Sequence, residues 1–309
     1  STKGLNLSIP RSEGIVFNTG KIDVEAIEPE TKGGEITLLA DKIEIGDGSY
    51  VTAAGDAGGG TIKIGGNYQG GSGLPTSDMI FISEHVILNA GSRRSGKGGT
   101  IILWSDTNTR FYGHGDVSGV DGGGFIEVSG KDHLDYSGTV NLSTVNGSKG
   151  VLLLDPTDIV ISSGANNNIT GTAPFTPLAD NGSTILNATT LLNALASGNV
   201  IVQTRASGSQ QGNITVDSAL SWNNGNTLTF DAHNHVIVNQ AISGSNLSFV
   251  VGNDLQLNAN IAGTGTLTIQ QAADSSTVGI GASAVGALNL SAADLTRIAD
   301  GWSEIVIGK

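Results

Sequence analysis

The stretch that decides the fold is GGEITL, Gly33 to Leu38. It returns as GGTIKI at Gly59–Ile64, as GGTIIL at Gly98–Leu103 and as GGFIEV at Gly123–Val128, with a weaker echo, GVLLLD, from Gly150. The second glycine of each pair stands at Gly34, Gly60, Gly99, Gly124 and Gly150, in steps of 26, 39, 25 and 26 residues. Self-similarity at such a period marks a solenoid. Apolar and polar residues alternate after each pair, with Ile36 and Leu38, Ile62 and Ile64, and Ile126 and Val128 on one side. Period-two alternation is a strand signal and turns one set of side chains inward. In the first unit Ile43 and Ile45 mark a second short strand and Tyr50 to Ala53 a third. Three short strands in one period make a coil of a parallel β-helix, whose apolar face is buried only when coils stack.

The corner glycines Gly34, Gly60, Gly99, Gly124 and Gly150 then have a physical reason. A tight turn repeated on one edge needs positive φ or close backbone approach, and glycine permits either. The long step contains NYQGGSGLPTSDMIFISEHV, Asn67 to Val86, which reads as a loop or hairpin inserted into one coil. Such insertions often form binding surfaces, and they are also simply tolerated, because loop entropy grows slowly with length.

Beyond residue 210 the rhythm shortens. Leu228, Leu247, Leu267 and Leu288 head similar alternating segments, in steps of 19, 20 and 21 residues. NATTLLNALASG, Asn187 to Gly198, reads as a short helix capped by Asn187 or Thr189, with Leu191, Leu192 and Leu195 on one face. SAADLTRIAD, Ser291 to Asp300, reads as another, with capping-box spacing between Ser291 and Asp294 and Gly301 after its end. The expected fold is therefore all-β, a parallel β-helix with short inserted helices. Its parts are coils of about 25 residues over 1–163 with the insertion near 67–86, a transition over 164–210 holding the first helix, and coils of about 20 residues over 211–309. About a dozen coils at roughly 4.8 Å each would give a rod near ~60 Å long.

Composition agrees. The chain holds 46 Gly in 309 residues, and charged residues are 14%, both far from usual values in the direction of many short strands and tight turns. There is no Cys, which excludes disulfides and thiolate metal sites. The net charge is −13, and past residue 150 the basic residues are Arg205, Arg297 and Lys309, so no basic stripe exists to neutralise phosphates and nucleic acid is not an expected partner. No apolar run has the length of a membrane span. No signal peptide stands at Ser1, and both ends read as cut from a longer protein.

The segments GGTIKIGGNYQGG, GGTIILWSDTNTRFYGHGDVSG, GGFIEVSGKDHLDYSGTVNLS and GVLLLDPTDIVIS resemble filamentous-haemagglutinin-like exoproteins, over roughly residues 30 to 163. LNLSAADLTRIADGWSEIVIG is similar to a module of the same giant repeat proteins. These are large bacterial surface proteins exported by two-partner secretion. The resemblance implies a right-handed β-helix, passage through an outer-membrane secretion pore, and a role in adhesion or as a surface filament, secreted or on the cell surface. The right hand also agrees with the general preference of parallel crossovers. The family's N-terminal secretion domain, with its NPNG-type motif, is not in this sequence, so export rests on the resemblance.

Parallel β-helices also serve as polysaccharide lyases and hydrolases, whose sites need clustered carboxylates on an exposed sheet face. The best local cluster is GKDHLDYSG, with Asp132, His133 and Asp135; His114 and Asp116 lie one coil earlier, with Arg110. An offset of about 25 residues stacks some of these within reach. A solvated polar corner is the simpler reading of them, and no phosphate loop, nucleophile elbow or zinc motif accompanies them. Asp155 and Asp158 in DPTD are a thin ligand set for calcium, which wants six to eight oxygens. Asp231, His233 and His235 share a strand face but read more simply as polar surface. No cofactor and no metal site are expected.

The expected function is a structural or adhesive segment of a large surface protein, without intrinsic catalysis. Its partners would be neighbouring coils of a longer parent chain, other copies end to end, and host or cell-surface glycans. Two alternatives are a carbohydrate-binding or polysaccharide-cleaving β-helix, in which Trp104, Tyr112, Tyr136 and Trp222 would converge as platforms, and a self-assembling matrix or sheath fibre.

Overall fold

The computed structural model describes residues 4–9, 14–165, 174–175, 182–206, 210–274, 276–283 and 285–309. The chain is mostly strand, and long parallel sheets dominate it. Two compact units can be separated, one built on residues through Asp155 with Ser197–Asn199, the other on the chain from Pro156, Gly182–Ala196 and Val200–Lys309. Parts of the expected transition, 166–173, 176–181 and 207–209, lie outside the described residues. No helix among the described residues is long and apolar enough to cross a membrane.

In the first unit each glycine pair leads into a strand of one principal sheet: Glu35–Leu39, Thr61–Ile64, Thr100–Phe111, Phe125–Gly130 and Val151–Leu154, with Gly4–Ser8 at its edge. Every neighbouring pair is parallel. The second strands of the repeats, Ile15–Asn18, Lys42–Ile45, Ser77–Ile82 and His133–Tyr136, extend the same sheet through the far half of Thr100–Phe111, whose register shifts between Ser105 and Asn108. The third strands, Lys21–Asp23, Tyr50–Thr52, Ile87–Asn89, His114–Asp116 and Thr139–Asn141, make a separate parallel sheet. Of the stretch expected as an insertion, 67–86, Ser77–Ile82 is a regular sheet strand, so the added length lies before it.

Register explains the core. Ile36, Ile62, Ile101, Ile126 and Leu152 stack in one column, and Leu38, Ile64, Leu103, Val128 and Leu154 in the next, all fully buried. Each such side chain contributes roughly 1.5–3 kcal/mol on burial. A slip of one residue would turn both columns outward, so the pattern fixes the pairing. Deeper in the repeat Phe111 and Tyr136 stack at 5.7 Å between ring centres.

The corner glycines act through close approach. None of the five takes a left-handed backbone. A Cβ on Gly60 would press into the carbonyl of Gly34, and one on Gly99 into that of Gly60, closer than the 3.0 Å that real Cβ atoms keep. The amides close the turn within the repeat: Gly60 N–H donates to Ala53 (2.8 Å), Gly99 N–H to Ala90 (2.7 Å) and Gly124 N–H to Val117 (2.8 Å).

The second unit repeats the scheme with shorter periods. One parallel sheet runs Asn199–Gln203, Thr227–Ala232, Asn246–Val251, Thr266–Gln271 and Glu304–Ile307. A second runs Thr184–Asn187, Ile159–Ser162, Ile214–Val216, Val236–Val238 and Leu255–Leu257. A third joins Leu220–Ser221, Ile242–Gly244 and Ile261–Gly263. Helix α1, Ala188–Ser197, is capped by Asn187, whose Oδ1 accepts from Thr189 N–H (2.8 Å) and Thr190 N–H (3.3 Å). Its buried face is Ala188, Leu191, Ala194 and Leu195. Helix α2, Ala292–Arg297, opens on the capping box: Ser291 Oγ accepts from Asp294 N–H, and the Asp294 carboxylate accepts from Ser291 N–H. It stops short of the expected Asp300.

Candidate functional site

The polar cluster read from the sequence divides between two sheets. Asp135 and His133 lie on strand His133–Tyr136 of the principal sheet, where the 25-residue offset pairs Arg110 with Asp135 and Asn108 with His133. His114 and Asp116 lie on the separate sheet, paired with Thr139 and Asn141. Strand position within the repeat, rather than distance along the chain, decides which residues meet.

On the principal sheet Tyr112 Oη donates to Asp135 Oδ2 at 2.6 Å. Burial raises the Asp135 carboxyl to about 6, against the opposing pull of the Tyr112 hydrogen bond and the Arg110 charge. Burial and the Asp135 carboxylate push the Tyr112 phenol up. Arg110, His133 and Asp135 are at most 5% exposed, with Asp132 partly open beside them. A general acid near 6 would suit polysaccharide chemistry, but a substrate must reach it, and these groups are sealed.

On the other sheet Asp116 is a structural residue. Its carboxylate accepts from Ser118 N–H (2.8 Å), Ser118 Oγ–H (2.7 Å) and Asn141 Nδ2 (3.0 Å). Asp23, Asn89 and Asn141 accept in the same way from the amide two residues on, so one turn recurs at matched positions. His114 Nδ1 sits 2.8 Å from Thr139 Oγ1.

The other candidates are also engaged. Asp158 Oδ1 accepts from Gly212 N–H (2.6 Å) and Asn213 N–H (2.7 Å), and Asp155 is fully buried. Asp231 accepts from Gln203 Nε2 at 2.9 Å, and burial raises its carboxyl. Among the described residues no three His, Asp or Glu side chains are grouped to hold a metal. The aromatic platforms of the carbohydrate alternative are not open surfaces. Trp104, Tyr136 and Trp222 are buried, and the three tryptophans each pack on glycine: Trp104 on Gly66 and Gly70, Trp222 on Gly244, Trp302 on Gly263.

An open groove of about 570 Å³ lies on the outer face of the principal sheet. Its floor is a row of first residues after the glycine pairs, Glu35, Thr61, Thr100 and Phe125, one from each of four neighbouring strands. Lys63 stands two residues on from Thr61, its Nζ 3.7 Å from Glu35 Oε1. The inserted loop forms the wall with Asn67 and Tyr68. Tyr68 is half exposed and meets Phe125 edge-on, 5.8 Å between ring centres. The loop is tied down: Gln69 N–H donates to both oxygens of the buried Glu127 carboxylate (3.0 and 3.1 Å), Ser129 Oγ–H donates to the same group (2.8 Å), and Thr76 Oγ–H donates to Asp106 (2.7 Å). The wall residues Asn67 and Tyr68 belong to the insertion that the sequence offered as a binding surface, whereas the floor residues Glu35, Thr61, Thr100 and Phe125 drew no such expectation. The signal was present, because the residue after each glycine pair must fall in one column.

No protein-family model matches the chain, and no curated protein matches it.

Proposed function

We propose that this chain is a segment of a large secreted or cell-surface bacterial protein, wound as a right-handed parallel β-helix and serving as an elongated scaffold for attachment. The reading rests on one observation, the in-register parallel pairing of successive repeats, with aliphatic columns inside and a glycine column at the corner. A repeat of this kind gains its stability from its neighbours and can be extended without redesign. Parallel crossovers favour the right hand. The resemblance of GGTIILWSDTNTRFYGHGDVSG and GVLLLDPTDIVIS to filamentous-haemagglutinin-like exoproteins supports a surface location and export through an outer-membrane pore. Burial of Arg110, His133 and Asp135 favours a scaffold over a polysaccharide-cleaving enzyme.

Small-angle scattering of the purified chain tests the form. The expected profile has the separate cross-section regime of a rod. A profile fitted by a compact sphere would overturn the scaffold reading. Release of unsaturated products from polysaccharide, lost on Asp135→Ala, would overturn its non-catalytic part.

A further inference from the structure

We propose that the groove walled by the inserted loop binds neutral oligosaccharide. This goes beyond the scaffold reading and does not depend on it, since the groove needs only the observed strand register.

Four observations point to that ligand. The first is the Tyr68–Phe125 corner, a half-exposed ring braced by a second ring at the end of a polar floor. Aromatic rings with a polar handle suit ligands that carry an apolar face and wet edges, and the C–H face of a pyranose ring is such a surface. The second is the charge. Glu35 and Lys63 stand as an opposed pair, so the site offers an acceptor and a donor for hydroxyls with no net charge of its own. The chain around it carries −13, which repels acidic polymers. The third is the closed backbone. Strands Glu35–Leu39, Thr61–Ile64 and Thr100–Phe111 are each paired on both sides, so no peptide can add to them as a strand. The fourth is length. The floor crosses four strands at about 4.8 Å apiece, and a second hollow of about 220 Å³ continues past Glu35 to Asn6 and Thr37. An extended chain of sugar rings fits such a trough better than a single compact ligand. The anchoring of Gln69 on Glu127 holds the wall in place before the ligand arrives, which lowers the ordering cost of binding.

The test uses the full chain and panels of neutral oligosaccharides (glucan, xylan, mannan and galactan fragments) and acidic ones (uronate and sulfated), read by calorimetry and ligand-observed NMR. Neutral oligosaccharide should bind, and Tyr68→Ala should weaken it about tenfold, the worth of one aromatic contact. Thr61→Trp fills the floor from a strand position, leaving the loop's own residues unchanged, and should abolish binding while leaving the circular dichroism spectrum unchanged. If Tyr68→Ala does not fold, Thr61→Trp alone decides. No neutral binding at millimolar sugar, binding to acidic glycans alone, or full binding by a folded Thr61→Trp would each overturn the proposal.

Discussion

The two units make the same kind of parallel sheet but lean on different devices from repeat to repeat: the first on a column of glycines, the second on ladders of amide side chains, a bonding the first also uses where Asn141 reaches Asp116. In the first, the side chain is removed. Gly60 and Gly99 let successive backbones approach closer than a Cβ allows. In the second, amide side chains carry bonds from repeat to repeat, beside glycines such as Gly252 that again lie against a neighbouring carbonyl. Asn234 Nδ2 donates to Asn213 Oδ1 (2.9 Å) and its own Oδ1 accepts from Asn253 Nδ2; Asn239 donates to Asp217 (2.8 Å) and accepts from Asn258 (2.8 Å). Runs of matched amides thus climb from repeat to repeat. The difference teaches that a corner in a stacked repeat can be made steric or polar, and that the two fail differently. A steric corner fails by collision, a polar corner by losing side-chain hydrogen bonds.

Gly99→Val should break the first unit most severely, by about 4 kcal/mol, because its side chain meets the Gly60 backbone and nothing flexible can yield. Hydrogen exchange read by mass spectrometry should show protection lost from the strands around Thr100–Phe111. Unchanged protection there would break the comparison.

The cores, by contrast, should respond alike. Ile101→Ala in the first unit and Phe249→Ala in the second, where Phe249 stacks on Phe230 at 5.8 Å, should each cost about 3 kcal/mol in denaturant unfolding. Asn234→Ala should cost roughly 1.5 kcal/mol, since it removes a buried amide that bonds Asn213 on one side and Asn253 on the other. A loss as large as that of Gly99→Val would erase the distinction between polar and steric corners.

The smallest effect is one of pH. Burial holds the Asp135 carboxyl at about 6, above the usual carboxylate range near 4, so the folded state holds the proton more tightly. Its penalty is absent below the unfolded value, grows as pH rises between the two, and is complete above about 6. Wild type should therefore gain about 1 kcal/mol relative to Asp135→Asn on going from pH 7 to pH 5. Parallel stability profiles of the two proteins would contradict this.

The strands and columns of the first unit and both helix caps were legible because each depends on spacing alone; in the second unit spacing misplaced Leu288, which pairs with Val278 in a sheet of its own, while Ile305 pairs with Leu267. Arg110 and Asp135 could be placed together from the repeat offset for the same reason. Other features depend on what a distant segment covers. Glu127 falls on the polar side of the alternation in GGFIEV, yet it is fully buried and bonded by Gln69 and Ser129. Trp104 reads as a platform, yet Gly66 and Gly70 lie over it. His114 and Asp116 look adjacent to the later cluster, but a turn after Phe111 sends them to another sheet. Helix α2 ends early because Ile298 leaves helical geometry and bridges to Ile261.

The central claim is register, and the absence of cysteine makes it directly measurable. Cysteines at Thr61 and Thr100, and separately at Thr229 and Ser248, fall on partnered positions of parallel strands. At about 4.8 Å between strands, such pairs meet the geometry a disulfide requires. Mild oxidation should close both pairs within the monomer, while pairs displaced by two residues (Lys63 with Thr100, Asp231 with Ser248) should close far more slowly. Equal closure of matched and displaced pairs, or failure of the matched ones, would contradict the stacked-repeat account.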